Sequence, residues 1–118
     1  MRILSALLVA LFLASPAQST SVDPSALSNC LASSGMKFYT AWWCPYCKQQ
    51  LKTLREAGVT AEIVACYPEG SMQKNALCTE RGVKQFPTWE NGAGERTLGA
   101  MSLAELWDVA GCTARKPQ

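Results

Sequence analysis

The chain has 118 residues, of which 48% are hydrophobic and 17% charged, and it contains six cysteines and no histidine. This length suits one small globular domain. The formal net charge is +2 and the only adjacent basic pair is Arg115-Lys116, so the sequence offers no electrostatic footprint for nucleic acid. The lack of histidine excludes Ser-His-Asp and Cys-His catalytic arrangements and imidazole-containing metal sites. The chemistry must therefore come from sulfur or carboxylates.

The N-terminus has the pattern of a secretory signal. Met1-Arg2 gives a positive start, an apolar run follows over Ile3–Ala14, and Ser15-Pro16-Ala17 offers small residues to a signal peptidase. The run is shorter than the roughly 20 apolar residues that span a bilayer, which argues against an uncleaved membrane anchor. We therefore expect residues 1–17 to be a cleaved signal and residues 18–118 to form one exported domain, in a compartment where disulfides persist.

The first half of this domain alternates helices with strands. Asp23 followed by Pro24 is typical of an N-cap with proline in the first helical turn, and Gly58 is typical of a helix end. Between these signals, apolar residues at helical spacing flank an aromatic and β-branched run. The predicted elements are a helix over Pro24–Ser33, a strand over Lys37–Ala41, a helix over Pro45–Ala57 and a strand over Val59–Ala65.

The second half continues the alternation and ends with a hairpin and a helix. A turn-rich stretch over Tyr67–Ser71 precedes the next predicted helix, and Asn91–Gly94 indicates a turn between two strands. Ser102 and Glu105 form a capping-box pattern that opens a last helix. The predicted elements are a helix over Met72–Arg81 that Gly82 ends, a strand entered through Phe86–Trp89, its partner Arg96–Leu98, and a final helix with Leu103, Leu106, Trp107 and Ala110 on its apolar face.

The candidate chemistry lies at Cys44-Pro45-Tyr46-Cys47, where a predicted helix begins. Cysteines three apart in a helix are neighbours and can form a disulfide. Pro45 suits the first helical position, which leaves Cys44 at the helix N-terminus, where unpaired backbone amides and the helix dipole stabilise a thiolate. We therefore expect Cys44 to be the nucleophile. Cys47 lies one turn further in, on the predicted apolar face, and is expected to be the resolving thiol.

A Cys-x-x-Cys pattern also occurs in metal sites. A structural zinc ion needs a second close pair of ligands, but Cys66 and Cys78 lie twelve residues apart and no histidine can replace them. Two thiolates alone can bind copper(I), so a copper carrier stays open as an alternative. Another alternative is a purely structural domain with three inert disulfides. The favoured interpretation is a redox pair with no metal and no cofactor.

Two segments together resemble the thioredoxin superfamily. Tyr39–Cys47 reads Tyr-Thr-Ala-Trp-Trp-Cys-Pro-Tyr-Cys across a strand-to-helix junction, and Phe86–Trp89 follows as Phe-Pro-Thr-Trp. The chain looks closest to the small thioredoxin-like domains associated with bacterial vitamin K epoxide reductase homologues. This resemblance implies a single α/β domain with a mixed sheet of about four strands and helices on both faces.

The resemblance also implies roles for residues around the cysteine pair. Pro87 matches a cis-proline beside the active cysteines, and the backbone of Phe86 would pair with a bound substrate strand. Trp43, just before the pair, is expected to contact substrate, as are Pro45 and Tyr46. Tyr46 stands where many exported oxidases of the superfamily have histidine, so the resemblance does not imply a strongly oxidising potential.

The other four cysteines have separate interpretations. Cys66 and Cys78 match a cysteine pair of the resembled domains, which implies a second disulfide; it is predicted to be structural because neither residue begins a helix. For Cys30 and Cys112 two alternatives stay open. They pair and tie the first helix to the C-terminus, or they remain separate because the two helices lie on opposite sides of the sheet.

Together these features predict an exported thiol–disulfide oxidoreductase that acts on protein thiols or disulfides. The predicted location is the periplasm, the thylakoid lumen or the cell exterior. In the favoured mechanism a substrate thiolate attacks the Cys44–Cys47 disulfide, and a membrane vitamin K epoxide reductase homologue re-oxidises the pair. The leading alternative within the same fold is a reductase or isomerase kept reduced by a membrane donor.

Overall fold

The computed structural model describes residues 21–112. The predicted signal over residues 1–17 and its cleavage site lie outside this range. The elements in chain order are α1 (Pro24–Ser33), β1 (Lys37–Ala41), α2 (Pro45–Ala57), β2 (Glu62–Tyr67), α3 (Ala76–Glu80), β3 (Thr88–Glu90), β4 (Arg96–Leu98) and α4 (Leu103–Val109). Within the described range, no helix is long and apolar enough to cross a membrane.

The four strands form one mixed sheet in the order β2-β1-β3-β4. β1 is parallel to β2 and antiparallel to β3, where Phe38 lies opposite Trp89. β3 and β4 form an antiparallel hairpin, in which the Asn91 side chain accepts hydrogen bonds from the backbone N–H groups of Ala93 and Glu95. Because parallel strands end at the same edge of a sheet, the residues that follow β1 lie beside the end of β2.

Local signals close the helices where the sequence predicts, and the bounds of α1, β1 and α2 are confirmed. At α1 the Asp23 carboxylate accepts the Ala26 N–H at 3.2 Å. At the end of α2, Gly58 adopts a φ of +71°, a conformation that glycine adopts without steric penalty. At α4 the Ser102 hydroxyl accepts the Glu105 N–H at 3.1 Å, as the capping-box pattern predicts.

The predicted start of β2 at Val59 is wrong, because the strand begins at Glu62 and ends at Tyr67. Val59 is buried, and its N–H donates to the Leu54 carbonyl at 2.9 Å. This bond belongs to the helix end, where an apolar residue just after the glycine commonly packs back onto the last turn. The β-branched side chain that suggested a strand therefore completes α2.

The helix predicted over Met72–Arg81 is also wrong in extent, because α3 covers only Ala76–Glu80. Asn75 caps this helix, and its side chain accepts the Leu77 N–H at 2.9 Å. The Asn75 N–H itself donates to the Cys66 carbonyl at 2.7 Å. Asn75 is thus hydrogen-bonded to β2, and the residues before it form a loop rather than a helical turn.

Helices cover both faces of the sheet, which confirms the predicted α/β class. Phe38 and Tyr39, neighbours on β1, belong to two different apolar clusters, as the alternation of a strand requires. Residues of α1, α2 and α4 complete the larger cluster, and a residue of α3 contributes to the smaller one. The larger cluster includes Leu27, Leu31, Leu54, Trp89 and Leu106, and the smaller one includes Cys66, Cys78 and Val83.

Two disulfides join these layers. Cys30 of α1 bonds to Cys112 after α4, with Cα atoms 5.8 Å apart. The sequence does not decide whether these two cysteines pair, and the structure has them paired. The alternative with the two helices on opposite sides of the sheet is wrong, since both contribute to the larger cluster. Cys66 of β2 bonds to Cys78 of α3, with Cα atoms 5.6 Å apart, which is the pairing that the resemblance implies.

A buried carboxylate fastens the outer hairpin. The Glu90 carboxylate accepts hydrogen bonds from Tyr39 Oη at 3.1 Å, Arg81 Nη1 at 3.1 Å and Arg96 Nε at 2.7 Å. Burial raises the pKa of Glu90, but the hydrogen bonds from Arg96 and Tyr39 and the charges of both arginines outweigh it, so the pKa lies below its ordinary value. Glu90 is therefore ionised at neutral pH and holds β3, β4 and the end of α3 together.

Candidate active site

Cys44 lies at the N-terminus of α2, at the edge of the sheet where β1 ends. It is the N-cap residue, and its Sγ accepts the Cys47 N–H at 3.2 Å. Pro45 occupies the first helical position, where its missing N–H costs no hydrogen bond. The remaining backbone N–H groups of the first turn give this end of the helix a partial positive charge. The sulfur of Cys44 therefore lies where a thiolate is stabilised.

Cys47 lies one turn into α2 and is fully buried. Burial is the largest of the effects that raise the pKa of Cys47 to about 11, and the hydrogen bond with Cys44 and its charge act in the same direction. Contacts with the Thr40 side chain and the Ala41 backbone lower this pKa in part. Cys47 is therefore a protonated thiol at neutral pH, directly behind Cys44, and both cysteines are free thiols.

Three aromatic rings meet beside the cysteine pair, and we call Trp43, Tyr67 and Phe86 the aromatic triad. The Trp43 ring centroid lies 5.9 Å from that of Tyr67 and 5.9 Å from that of Phe86, and the last two are 5.8 Å apart. The three pairs are tilted or edge-on, a favourable arrangement for aromatic rings. Trp43 is 45% exposed, so the triad presents apolar surface next to Cys44.

The third chain segment at the site is Phe86-Pro87, joined by a cis peptide bond. Pro87 is buried, and its carbonyl accepts the Gly99 N–H at 2.9 Å, which fastens the segment to the loop before α4. Thr88 Oγ1 donates to the Gln85 carbonyl at 2.6 Å and closes the turn that leads into β3. This turn places the Phe86 ring against Trp43.

The residues that the sequence selected fall into two groups. The structure brings Trp43 and Phe86 into ring contact, next to Cys44 and Pro87. Tyr46 is 64% exposed on the first turn of α2, and among the described residues no ring contact joins it to the aromatic triad. Tyr46 therefore belongs to the rim of the site rather than to the triad.

Tyr67 is a site residue that sequence reasoning missed, because it was placed in a turn. It lies opposite Ala41 at the end of β2, and the Trp42 N–H donates to its carbonyl at 3.2 Å. The available signal was the parallel pairing itself, which brings the last residue of β2 beside the residues that follow β1. An aromatic residue at that position therefore meets the segment before Cys44.

Gln50 is a second residue that was missed, because a polar residue on an amphipathic helix is expected to face water. It is only 1% exposed, and its side-chain amide is hydrogen-bonded to Met101 and to Trp89. No local pattern marks it, since both partners are far away in the sequence. Gln50 follows Cys47 by three residues and therefore lies on the same side of α2.

The described residues contain no group of three or more cysteine, aspartate, glutamate or histidine side chains that could hold a metal ion. At the site itself, the two sulfur-containing side chains that lie close together are Cys44 and Cys47, and the Cys47 N–H donates to Cys44 Sγ. Two thiols at the N-terminus of a helix can exchange with disulfides through a mixed-disulfide intermediate, with the outer sulfur as the point of attack. This is the chemistry for which the geometry is best suited.

Comparison with known proteins shows similarity of sequence to a thiol-disulfide oxidoreductase. No protein-family model matches the chain. The chain is 34% identical over 91 residues to thiol-disulfide oxidoreductase LTO1 of Arabidopsis thaliana. That match covers 73% of this chain but only 24% of the length of the relative.

Comparison of backbones matches two solved structures at different levels of likeness. Chloroplastic thioredoxin z gives a TM-score of 0.52 at 17% identity, with 80% of this chain and 93% of that chain covered. The first two thioredoxin domains of Saccharomyces cerevisiae Eps1p give a TM-score of 0.41 at 19% identity, with 75% of this chain and 38% of that chain covered. The likeness to thioredoxin z agrees with the mixed four-stranded sheet and its flanking helices, and residues 21–112 therefore have a thioredoxin-like fold.

Proposed function

We propose that this protein is an exported thiol–disulfide oxidoreductase that forms disulfides in protein substrates through Cys44 and Cys47. The observation that carries the proposal is the position of Cys44 Sγ at the N-terminus of α2, where it accepts the Cys47 N–H while the Cys47 thiol is buried behind it. The sequence match to a thiol-disulfide oxidoreductase supports the same activity.

The proposed cycle starts from the oxidised Cys44–Cys47 pair. A substrate thiolate attacks Cys44 Sγ, a bond forms between the two sulfurs, and the Cys44–Cys47 bond breaks. The electron pair of that bond leaves with Cys47 Sγ. Because burial raises the pKa of Cys47, this sulfur takes up a proton at neutral pH.

The second step completes the transfer. A second thiolate of the substrate attacks the substrate sulfur of the mixed disulfide, and Cys44 leaves as a thiolate stabilised by the helix N-terminus. Two electrons have then passed from the substrate dithiol to the cysteine pair. The burial of Cys47 disfavours its return attack as a thiolate, which gives the second substrate thiolate time to react.

Substrate binding is proposed for the surface around Cys44. The Phe86 backbone would pair with an extended substrate segment, and the exposed ring of Trp43 would contact its side chains. Pro45 and Tyr46 would form the opposite rim, on the first turn of α2. The apolar surface of the aromatic triad favours substrates with exposed hydrophobic residues near the reacting cysteine, as in a chain that has not completed folding.

The proposed location is an oxidising compartment, reached through a signal at residues 1–17. Two observations support it: Cys30 is bonded to Cys112, and Cys66 to Cys78. Structural disulfides of this kind persist in exported proteins and are rare in the cytosol of mesophiles. Within that setting the periplasm and the thylakoid lumen are the proposed compartments, with secretion as the third.

Re-oxidation of the cysteine pair requires an electron acceptor. We assign this role to a quinone-linked membrane homologue of vitamin K epoxide reductase, on the resemblance of the motifs Tyr39–Cys47 and Phe86–Trp89. The acceptor would take the electron pair from Cys44 and Cys47 by the same exchange chemistry, with its own disulfide as the point of attack.

The opposite direction of transfer is the second candidate function, and Tyr46 favours it. Exported oxidases of this fold often have histidine at that position, where it helps to stabilise the reduced thiolate. With tyrosine there, the pair can be less oxidising and serve a reductase or isomerase. The two directions share the same residues and differ in reduction potential.

The reduction potential of the cysteine pair tests both proposals. The mature domain is equilibrated with glutathione buffers, with Cys47→Ala as the control that forms only a mixed disulfide. A potential of about −120 mV supports a disulfide donor, whereas about −180 mV supports an isomerase and about −270 mV a reductase. Failure of the pair to titrate would overturn the catalytic proposal.

A further inference from the structure

The side chain of Gln50 is a polar group held inside the larger apolar cluster of the domain. Its residue is 1% exposed, and it lies on α2, the helix that carries both active cysteines. Removing an amide from water is unfavourable unless its polar atoms find hydrogen-bond partners. The burial of Gln50 therefore requires specific partners.

Those partners lie on two other segments of the chain. Gln50 Nε2 donates to the Met101 carbonyl at 3.0 Å, and Gln50 Oε1 accepts the Met101 N–H at 2.6 Å. The same oxygen accepts the indole N–H of Trp89 at 3.3 Å. The Gln50 side chain thus bonds the backbone N–H and carbonyl of Met101, before α4, and the buried indole of Trp89 on β3.

These contacts continue to the segment that forms the second wall of the site. Trp89 lies on β3, which begins at Thr88, directly after Pro87. Gly99, two residues before Met101, donates its N–H to the Pro87 carbonyl at 2.9 Å. Gln50 is therefore connected to Pro87 in two ways, through Trp89 of β3 and through the loop 99–101. Because Gln50 lies on α2, both connections link Pro87 to the helix that carries Cys44.

We infer that Gln50 is a positioning residue that fixes the separation and register between the active-site helix and the Phe86-Pro87 segment. This inference rests on the proposed function. A peptide substrate must reach Cys44 while it lies along Phe86, so its reaction depends on the relative placement of the two segments. A small thiol contacts only the cysteine sulfur and does not require that placement.

The size of the expected effect follows from the geometry of reacting groups. A misplacement of about 1 Å can cost roughly a hundredfold in rate when two bound groups must align. An apolar side chain at residue 50 would leave the N–H and carbonyl of Met101 and the Trp89 indole without their partner. These groups would shift toward other partners and carry the loop 99–101 and β3 with them.

The test compares two rates in the folded domain of the wild type and of Gln50→Met, which keeps the shape of the side chain and removes its hydrogen bonds. The first rate is oxidation of a short dicysteine peptide, and the second is reduction of the cysteine pair by dithiothreitol. We expect peptide oxidation to fall by about tenfold or more, because alignment is lost. The dithiothreitol rate is expected to change less than about twofold, because it does not require alignment.

Leu54→Ala is the matched control, because Leu54 is buried on the same helix and has no part in the side-chain hydrogen bonds of Gln50, whose partners are Met101 and Trp89. It should weaken the fold without changing the ratio of the two rates. Both variants are assayed well below their measured unfolding temperatures. The inference is overturned if Gln50→Met changes both rates by the same factor, or if it changes neither.

Gln50→Glu covers the case in which Gln50→Met does not fold. Its carboxylate can accept the Met101 N–H and the Trp89 indole N–H but loses the donor to the Met101 carbonyl. A loss confined to peptide oxidation supports the inference, and equal losses in both assays contradict it. If the wild-type domain itself exchanges with neither the peptide nor dithiothreitol, the proposed function fails rather than the role of Gln50.

Discussion

The two cysteine pairs of the central region, Cys44 with Cys47 and Cys66 with Cys78, are equally buried and yet chemically different. None of the four residues is more than 3% exposed. Cys44 caps a thirteen-residue helix beside exposed aromatic surface, whereas Cys66 lies on a strand and Cys78 within a five-residue helix. Exposure therefore does not distinguish a candidate redox pair from a structural one.

Two features of position make the difference. Cys44 Sγ faces the backbone N–H groups that begin α2, which favour negative charge on sulfur. Cys66 and Cys78 pack against Tyr39 and Val83 in the smaller cluster, and neither is an N-cap residue: Cys66 lies within β2 and Cys78 within α3, whose N-cap is Asn75. Phe38 and Tyr39 belong to the two different clusters, so the sheet separates the pairs and shields the structural bond from the reactive one.

Replacing the outer sulfur gives the largest expected change. Cys44→Ser should lower the rate of peptide disulfide exchange by about a thousandfold or more, because the attacked sulfur is lost. The measurement is peptide oxidation by the wild type and the variant. Cys66→Ala/Cys78→Ala is the comparison, and it should retain exchange within about tenfold once folded. If the second variant loses as much activity as the first, the division between the pairs is wrong.

Removing each structural disulfide should weaken the fold according to the length of chain that it closes. The bonds have sequence separations of 82 and 12 residues. The chain-entropy relation predicts losses of about 4.5 kcal/mol for Cys30→Ala/Cys112→Ala and about 3 kcal/mol for Cys66→Ala/Cys78→Ala. Urea unfolding measures both losses. A larger loss from the shorter loop would show that packing around Cys66, rather than loop closure, sets the stability.

Glu90→Gln tests the hydrogen bonds and ion pairs that the Glu90 carboxylate forms with Tyr39, Arg81 and Arg96. The variant removes the charge that Arg81 and Arg96 bind, and it should lower the free energy of unfolding by about 1–3 kcal/mol at pH 7. The arginines are partly exposed and recover water in part, which keeps the loss moderate. The reduction potential of the Cys44–Cys47 pair should stay unchanged.

The pH dependence of this loss has a definite sign. The folded-state pKa of Glu90 lies below its ordinary value of 4.5, so its stabilisation is present above that pH and is lost as pH falls through the folded-state value. The difference in unfolding free energy between the wild type and Glu90→Gln should therefore shrink when the pH is lowered from 7 to 3. A difference that is constant with pH would exclude the ion pairs as its source.

Tyr67→Ala should give the smallest effect on activity, seen in substrate binding. Without the Tyr67 ring the triad loses one aromatic surface for substrate, and a single aromatic contact of about 0.5–1.5 kcal/mol corresponds to a rise in KM for an apolar dicysteine peptide of about 2- to 12-fold. Met72→Ala is the control, because Met72 is a large exposed apolar residue outside the aromatic triad. Equal effects of the two variants would indicate a general apolar surface instead of a contribution from the triad.

The sequence predicts those parts of the fold that local interactions decide. Asp23, Gly58 and Ser102 mark helix ends by their own backbone and side-chain chemistry, and the structure has the ends there. The motif Cys44–Cys47 at the start of a helix is local in the same sense. These features can be predicted from a few neighbouring residues.

The remaining parts depend on residues distant in the sequence. Val59 completes a helix instead of starting a strand, and Asn75 bonds to the Cys66 carbonyl on β2. Gln50 and Glu90 are buried polar residues with distant partners. The Gln50 side chain bonds Met101, and the Glu90 side chain bonds Tyr39; in each pair the two residues are 51 positions apart. No local pattern predicts such pairs, because the fold must first bring the partners together.

The Cys30–Cys112 bond also determines how the domain responds to tension. It joins a residue near the beginning of the described chain to one at its end, with Cα atoms 5.8 Å apart. A pulling force applied to the two ends would pass through this covalent link and bypass the sheet between them. Within residues 21–112, only the segment before Cys30 could extend, so the active-site helix and the Phe86-Pro87 segment would keep their placement under load.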